Sequence, residues 1–217
     1  MLPAEVLEEA QRELLDFAGT GMSVTEISHR DKAYSAVVEE AERNLRDLLN
    51  IPEDYCVIFV QGGASQQFAA VPLNLMHKGK ADYLVTGNFA KKAWQEGKIY
   101  GAARVAASSE DKVYTYIPDL DKVEFDDDAD YVHFTSNNTI FGTRFTKFPE
   151  TKAPLACDMS SDILSREIDV SKFGVIYAGA QKNLAPAGVT IVIARKDLIE
   201  NPRPECPTML KWKTQAE

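Results

Sequence analysis

Two long stretches with helical spacing open the chain. Pro3, a run of acids, and Leu7, Leu14, Leu15 and Phe17 on one face predict a helix over 3–17, stopped by Gly19-Thr20-Gly21. Val37, Val38, Ala41, Leu45, Leu48 and Leu49 form the apolar stripe of a second helix over 31–49. After the loop Ile51-Pro52-Glu53-Asp54 the pattern changes, and short β-branched runs alternate with helical stretches. Strands are predicted at 57–60, 82–86, 103–106, 131–134, 153–157, 173–178 and 189–194, with helices over 66–76 and 88–100. This order predicts an α/β fold with three layers, α-β-α, around a mostly parallel seven-stranded sheet. Only about ten residues without helical pattern separate the last two strands. A parallel crossover needs more chain, so the last strand is expected to be antiparallel.

At 217 residues the chain can form one large domain with a full core. The division expected is 3–50 for the first helices, 51–200 for the sheet and 201–217 for the start of a connection to a further domain. The formal net charge of −9 argues against nucleic-acid or anionic-membrane partners, though it permits a local anion site. No apolar run approaches membrane-spanning length, and the N-terminus has no signal-peptide core. Cys56, Cys157 and Cys206 are odd in number and widely spaced, which speaks against a disulfide framework or a metal site. These features together imply a cytoplasmic protein.

In a parallel sheet the ligand sits at the carboxyl ends of the strands, and the loops after the strands hold the unusual residues here. Lys182 follows the run 173–178 in Tyr177-Ala178-Gly179-Ala180-Gln181-Lys182-Asn183. A lysine in a tight, partly desolvated turn past a strand end has the amine expected of a Schiff-base residue. Twenty-four residues upstream, Asp158 follows the run 153–157. An acid at one strand end and a lysine at the next suit pyridoxal phosphate: the carboxylate holds the pyridinium nitrogen and the lysine holds the aldehyde. Gln61-Gly62-Gly63-Ala64-Ser65 could offer backbone amides and a helix N-terminus to an anion, or could be a tight strand–helix turn. Trp94 could lie on a flat cofactor or in the core. Thr135-Ser136-Asn137-Asn138-Thr139 could reach a ring hydroxyl or cap its own loop. His29 and Arg30 could hold an acidic substrate group or be exposed helix-entry residues.

Five segments in this order form a family pattern. They are Glu26-Ile27-Ser28-His29-Arg30, Gln61-Gly62-Gly63-Ala64-Ser65, Ala70-Val71-Pro72-Leu73-Asn74-Leu75, Cys157-Asp158-Met159-Ser160-Ser161 and the segment around Lys182. The chain resembles the phosphoserine aminotransferases, class V pyridoxal-phosphate enzymes of the aspartate-aminotransferase fold. The resemblance implies that Lys182 bears the cofactor, Asp158 meets its ring nitrogen, Trp94 stacks on the ring and Thr139 reaches its hydroxyl. It implies that Ala64, Ser65 and Gln181 hold the cofactor phosphate, although some members carry arginine in place of Ser65. It implies that His29 and Arg30 bind the distal acid group of the substrate across a homodimer interface. The implied reaction moves the amino group of glutamate to 3-phosphohydroxypyruvate, giving O-phosphoserine and 2-oxoglutarate for serine biosynthesis.

Members of the family extend beyond this sequence at both ends and carry a smaller C-terminal domain. The chain is therefore expected to be the large cofactor-binding domain, attaching the cofactor weakly and turning over poorly without the carboxylate grip of the small domain. Two alternatives stay open. One is a related enzyme, such as a cysteine desulfurase or an alanine–glyoxylate-type transaminase; the former needs a mobile cysteine. The other is a non-catalytic binding module.

Overall fold

The computed structural model describes residues 2–217, which cluster into two compact units, one ending at Ile51 and the other running from Pro52 to Glu217. The first unit holds α1 (Ala4–Glu13) and α2 (Lys32–Leu49). The helix predicted over 3–17 ends four residues early. Asp16 accepts a 2.7 Å bond from the Gly21 N–H, and Phe17 N–H bonds the Met22 carbonyl at 2.8 Å, so the chain folds into a turn before Gly19 is reached. α2 is capped at both ends. The Asp31 carboxylate accepts from Ala33 N–H at 2.8 Å, and Asn50 takes the left-handed conformation that ends the helix.

The second unit runs β1 (Tyr55–Val60), α3 (Gly63–Leu75), β2 (Lys80–Val85), α4 (Asn88–Tyr100) and β3 (Ala102–Ser108). It continues with β4 (Val132–Thr135), β5 (Asn137–Asn138), β6 (Thr143–Arg144), β7 (Leu155–Asp158), β8 (Val175–Gly179) and β9 (Thr190–Arg195). Two short helices, α5 (Lys196–Ile199) and α6 (Trp212–Ala216), close it. The main sheet has seven strands in the order β1-β9-β8-β7-β4-β2-β3. β9 is antiparallel to both neighbours, and the remaining pairings are parallel. This is the expected mostly parallel α/β sheet with an antiparallel last strand. Because β9 is flanked by β1 and β8, those two run in the same direction, and their carboxyl ends share one edge with those of β2, β4 and β7.

Register decides which side chains share a face. Thr135 lies opposite Asp158, and Asp158 opposite Tyr177. Side chains opposite one another in a parallel pair point the same way, so these three share a face with His133 and Tyr83. α3 covers that face, with its Phe68 ring meeting Tyr177 edge-on at 6.4 Å. On the opposite face Phe134, Phe145, Phe148 and Phe173 form an aromatic cluster. The second difference from the sequence reading is the hairpin β5–β6, which falls in a stretch read only as a polar loop. Gly142 turns it at φ 70°, and Asn138 ties it down by donating to Thr86 Oγ1 at 3.2 Å and Thr143 Oγ1 at 3.1 Å.

Candidate active site

The loops after β1, β2, β4, β7 and β8 lie at the carboxyl edge of the sheet, where these strands and β3 all end. The last residue of β7 is Asp158, 4% exposed. Its Oδ1 accepts from the Ser160 N–H at 3.0 Å and from the Ser160 hydroxyl at 2.6 Å. No described hydrogen bond falls on Oδ2, which leaves one carboxylate oxygen for a donor outside the chain. Burial pushes the Asp158 carboxyl above its usual range, while the Ser160 bonds and the positive charge of Lys182 pull the other way. Asp162 nearby is also raised by burial, and it accepts from the Ser136 hydroxyl and lies 3.7 Å from Arg166.

β8 delivers the second group. Past Gly179 the chain makes one helical turn, with Leu184 N–H bonding the Ala180 carbonyl at 3.1 Å. Lys182 stands on that turn, and its Nζ donates to Thr139 Oγ1 at 3.1 Å. The same Nζ lies 4.5 Å from the centre of the Phe89 ring. Lys182 is exposed, contrary to the partly desolvated setting expected of it.

The anion cradle forms where β1 enters α3. Gly62 caps α3 at φ 91°, a conformation that glycine adopts without strain. α3 then aims its free N-terminal N–H groups at the sheet edge. A Cβ added to Gly179 would lie 3.0 Å from Gln181 Oε1 and 3.5 Å from Ala64 N. The bare glycine therefore brings the Gln181 amide and the Ala64 N–H to the same spot. Ser65 occupies the next position in the first turn, and its side chain is exposed. This donor set suits a phosphate, and the free Oδ2 of Asp158 suits a protonated ring nitrogen, so the residues present fit pyridoxal phosphate.

Trp94 is corrected by the structure. Its indole N–H donates to the Ala103 carbonyl at 2.9 Å, and Lys98 covers its ring at 4.0 Å. Ala103 pairs with Ala81 at the amino end of β2 and β3, so Trp94 lies at the wrong end of the sheet. The aromatic ring at the site is Phe89, in the first turn of α4 and directly after the end of β2. The signal was its position: a helix residue one turn from a strand's carboxyl end stays at that edge, whereas one five residues further on has moved about 7.5 Å along the axis. Ser160 was the other residue whose role the sequence left unread; it lies two positions past Asp158, the spacing of a side-chain turn. His29 and Arg30 are exposed in the first unit.

The sequence matches the family model described as "Aminotransferase class-V" over residues 1–208. The chain belongs to the class V aminotransferase family. It is 55% identical over 218 residues to a phosphoserine aminotransferase of Halalkalibacterium halodurans, covering 100% of this chain and 60% of that protein. The solved phosphoserine aminotransferase of Bacillus circulans superposes with a TM-score of 0.95 at 51% identity, over 99% of this chain and 60% of the other. A pyridoxal-phosphate-bound phosphoserine aminotransferase from Trichomonas vaginalis superposes with a TM-score of 0.94 at 40% identity, over 99% of this chain and 65% of the other. This class V aminotransferase chain thus spans about 60% of the length of the curated relatives it matches. Among the described residues no helix is long and apolar enough to cross a membrane, and no cluster of His, Cys, Asp and Glu could hold a metal ion.

Proposed function

We propose that this chain forms the pyridoxal-phosphate site of a phosphoserine aminotransferase, working as a cytoplasmic homodimer in serine biosynthesis. The observation that carries the reading is the pairing of Asp158, whose Oδ2 takes no hydrogen bond among the described residues, and Lys182, at adjacent strand ends on one edge. Asp158 Oδ2 accepts the ring N–H. The Ala64 and Ser65 backbone amides and the Gln181 side chain donate to the cofactor phosphate. Thr139 donates to the ring hydroxyl oxygen, and Phe89 offers a flat apolar face beside Lys182. Pyridoxal phosphate, when bound, would supply the sink for the electron pair left on the substrate α-carbon when it loses its proton. Lys182 Nζ, not engaged with the cofactor, would be the base that takes that proton. Across the homodimer interface, His29 and Arg30 hold the distal acid group of the substrate by charge-assisted bonds.

Two observations weigh against a desulfurase. Cys157 is fully buried in β7, where burial pushes its thiol well above the usual value, and Cys206 is buried as well. Neither can serve as a mobile nucleophile. The test is to add pyridoxal phosphate, reduce with borohydride and map the peptides. Modification at Lys182 is expected; modification confined to any other lysine would overturn the assignment.

A further inference from the structure

The bonds around Ser160 have only one consistent direction. Its hydroxyl carries one proton, which goes to Asp158 Oδ1 at 2.6 Å, because an ionised carboxylate can only accept. The oxygen is then the acceptor for the Gly179 N–H at 3.0 Å. The Ser160 N–H adds a second bond to Oδ1 at 3.0 Å. A buried relay therefore runs from the end of β8, through Ser160, to the carboxylate at the end of β7. Gly179 is also the residue whose bare α-carbon admits Ala64 N and Gln181 Oε1. One hydroxyl thus joins the carboxylate, the phosphate cradle and the strand end that leads to Lys182.

We propose that Ser160 is the positioning residue of Asp158. By engaging Oδ1 twice it fixes the carboxylate in the orientation that leaves Oδ2 for the ring nitrogen, and by accepting from Gly179 it sets the carboxylate against the Lys182 strand. This rests on the reading of Asp158 given above. The other charged groups acting on Asp158 are Lys182, which favours its ionised form, and Asp162, which opposes it. Asp162 is itself held by Ser136 and Arg166. None of these bonds involves Ser160, so a substitution there isolates its contribution.

The experiment uses the 217-residue chain in three forms: parent, Ser160→Ala and Ser160→Thr. Three readouts are compared: the Asp158 carboxyl titration by carbon NMR without cofactor, retention of pyridoxal phosphate, and the melting temperature. Loss of one charge-assisted bond is expected to raise the Asp158 midpoint by about one pH unit and weaken retention about tenfold in Ser160→Ala. Ser160→Thr is expected to restore both, even where its methyl group lowers the melting temperature. Should the alanine form not fold, Ser160→Cys, a weak donor of similar size, takes its place with the same expectation. A lower melting temperature with titration and retention unchanged would mean a structural role alone and would overturn the proposal. If the parent itself takes no cofactor on Lys182, the functional reading fails and the proposal fails with it. If the parent takes it and Ser160→Ala retains it equally, only the proposal about Ser160 fails.

Discussion

Asp158 and His133 lie on the same face of the same sheet, two strands' worth of polar chemistry within one core, and they have opposite fates. His133 sits mid-strand in β4 and is 1% exposed. Its Nε2 bonds the Tyr177 hydroxyl at 2.8 Å, its ring lies 5.1 Å from Tyr83, and Tyr83 bonds Tyr131 at 2.5 Å. Burial lowers its pKa to about 3, which keeps the ring neutral and confines it to packing. Asp158 is also buried but ends its strand, so one oxygen is held by Ser160 and the other has no hydrogen-bond partner among the described residues. A perturbed titratable group is therefore not by itself a site. Position decides: His133 also keeps an open valence, at its buried Nδ1, but a mid-strand group is enclosed by neighbouring strands and α3, whereas a strand-end group faces loops that a ligand can reach.

The comparison can be broken in several ways. The largest effect is expected from Lys182→Ala, which should abolish borohydride-trapped cofactor while leaving the melting temperature nearly unchanged, since the side chain is exposed. Trapping at undiminished yield would remove Lys182 from the site. Asp158→Asn comes next, with cofactor affinity expected to fall by at least about 30-fold, because a buried charge partner is lost. Without cofactor the same change should act in the other direction. Burial raises the folded-state pKa of Asp158, so its ionised form is penalised at neutral pH and relieved as pH falls towards the usual carboxylate range. Asp158→Asn is then expected to melt no lower than the parent at pH 8, and its advantage should vanish near pH 4; urea denaturation at both values checks this.

His133 supplies the counterpart. Its folded pKa of about 3 lies below the usual 6.5, so the unfolded chain binds the extra proton first. Stability attributable to it is full above about pH 6.5 and is lost at about 1.4 kcal/mol per unit as the pH falls towards 3. His133→Leu should flatten that slope in urea titrations without changing cofactor retention. A change in retention as large as that of Asp158→Asn would erase the distinction between mid-strand and strand-end groups. The smallest effects separate the two aromatics of α4. Phe89→Ala is expected to weaken cofactor binding about threefold to tenfold. Trp94→Phe should cost about 1 kcal/mol of stability through its lost bond to Ala103 and leave binding as it was. Equilibrium binding and melting curves on both variants decide which ring serves the cofactor.

Much of this arrangement was legible before any coordinates. Asp158 and Lys182 stand where apolar runs end, the family resemblance adds Thr139, Ala64 and Gln181, and the fold brings the loops that carry them to one edge because parallel strands end there. Trp94 is assigned by ring size, although the helix predicted over 88–100 already places it about 7.5 Å further from the end of β2 than Phe89. Phe89, the smaller ring, is the one that follows the end of β2 closely enough to reach Lys182. The exposure of Lys182 was illegible: neighbouring residue sizes are in the sequence, but the solvent around the turn is a property of the folded surface.

The sequence by itself determined the alternation of strands and helices, the antiparallel last strand and the placing of Asp158 and Lys182 just where two apolar runs end. Each of these follows from local periodicity and from the length of chain between runs. Only the tertiary structure decided that Phe89 and not Trp94 meets Lys182, that Ser160 bridges Asp158 to Gly179, and that the polar loop after β4 is a hairpin tied to Thr86. Those are contacts between segments far apart in the chain, and hydrogen-bond direction and helix phase are set only when the strands take their register.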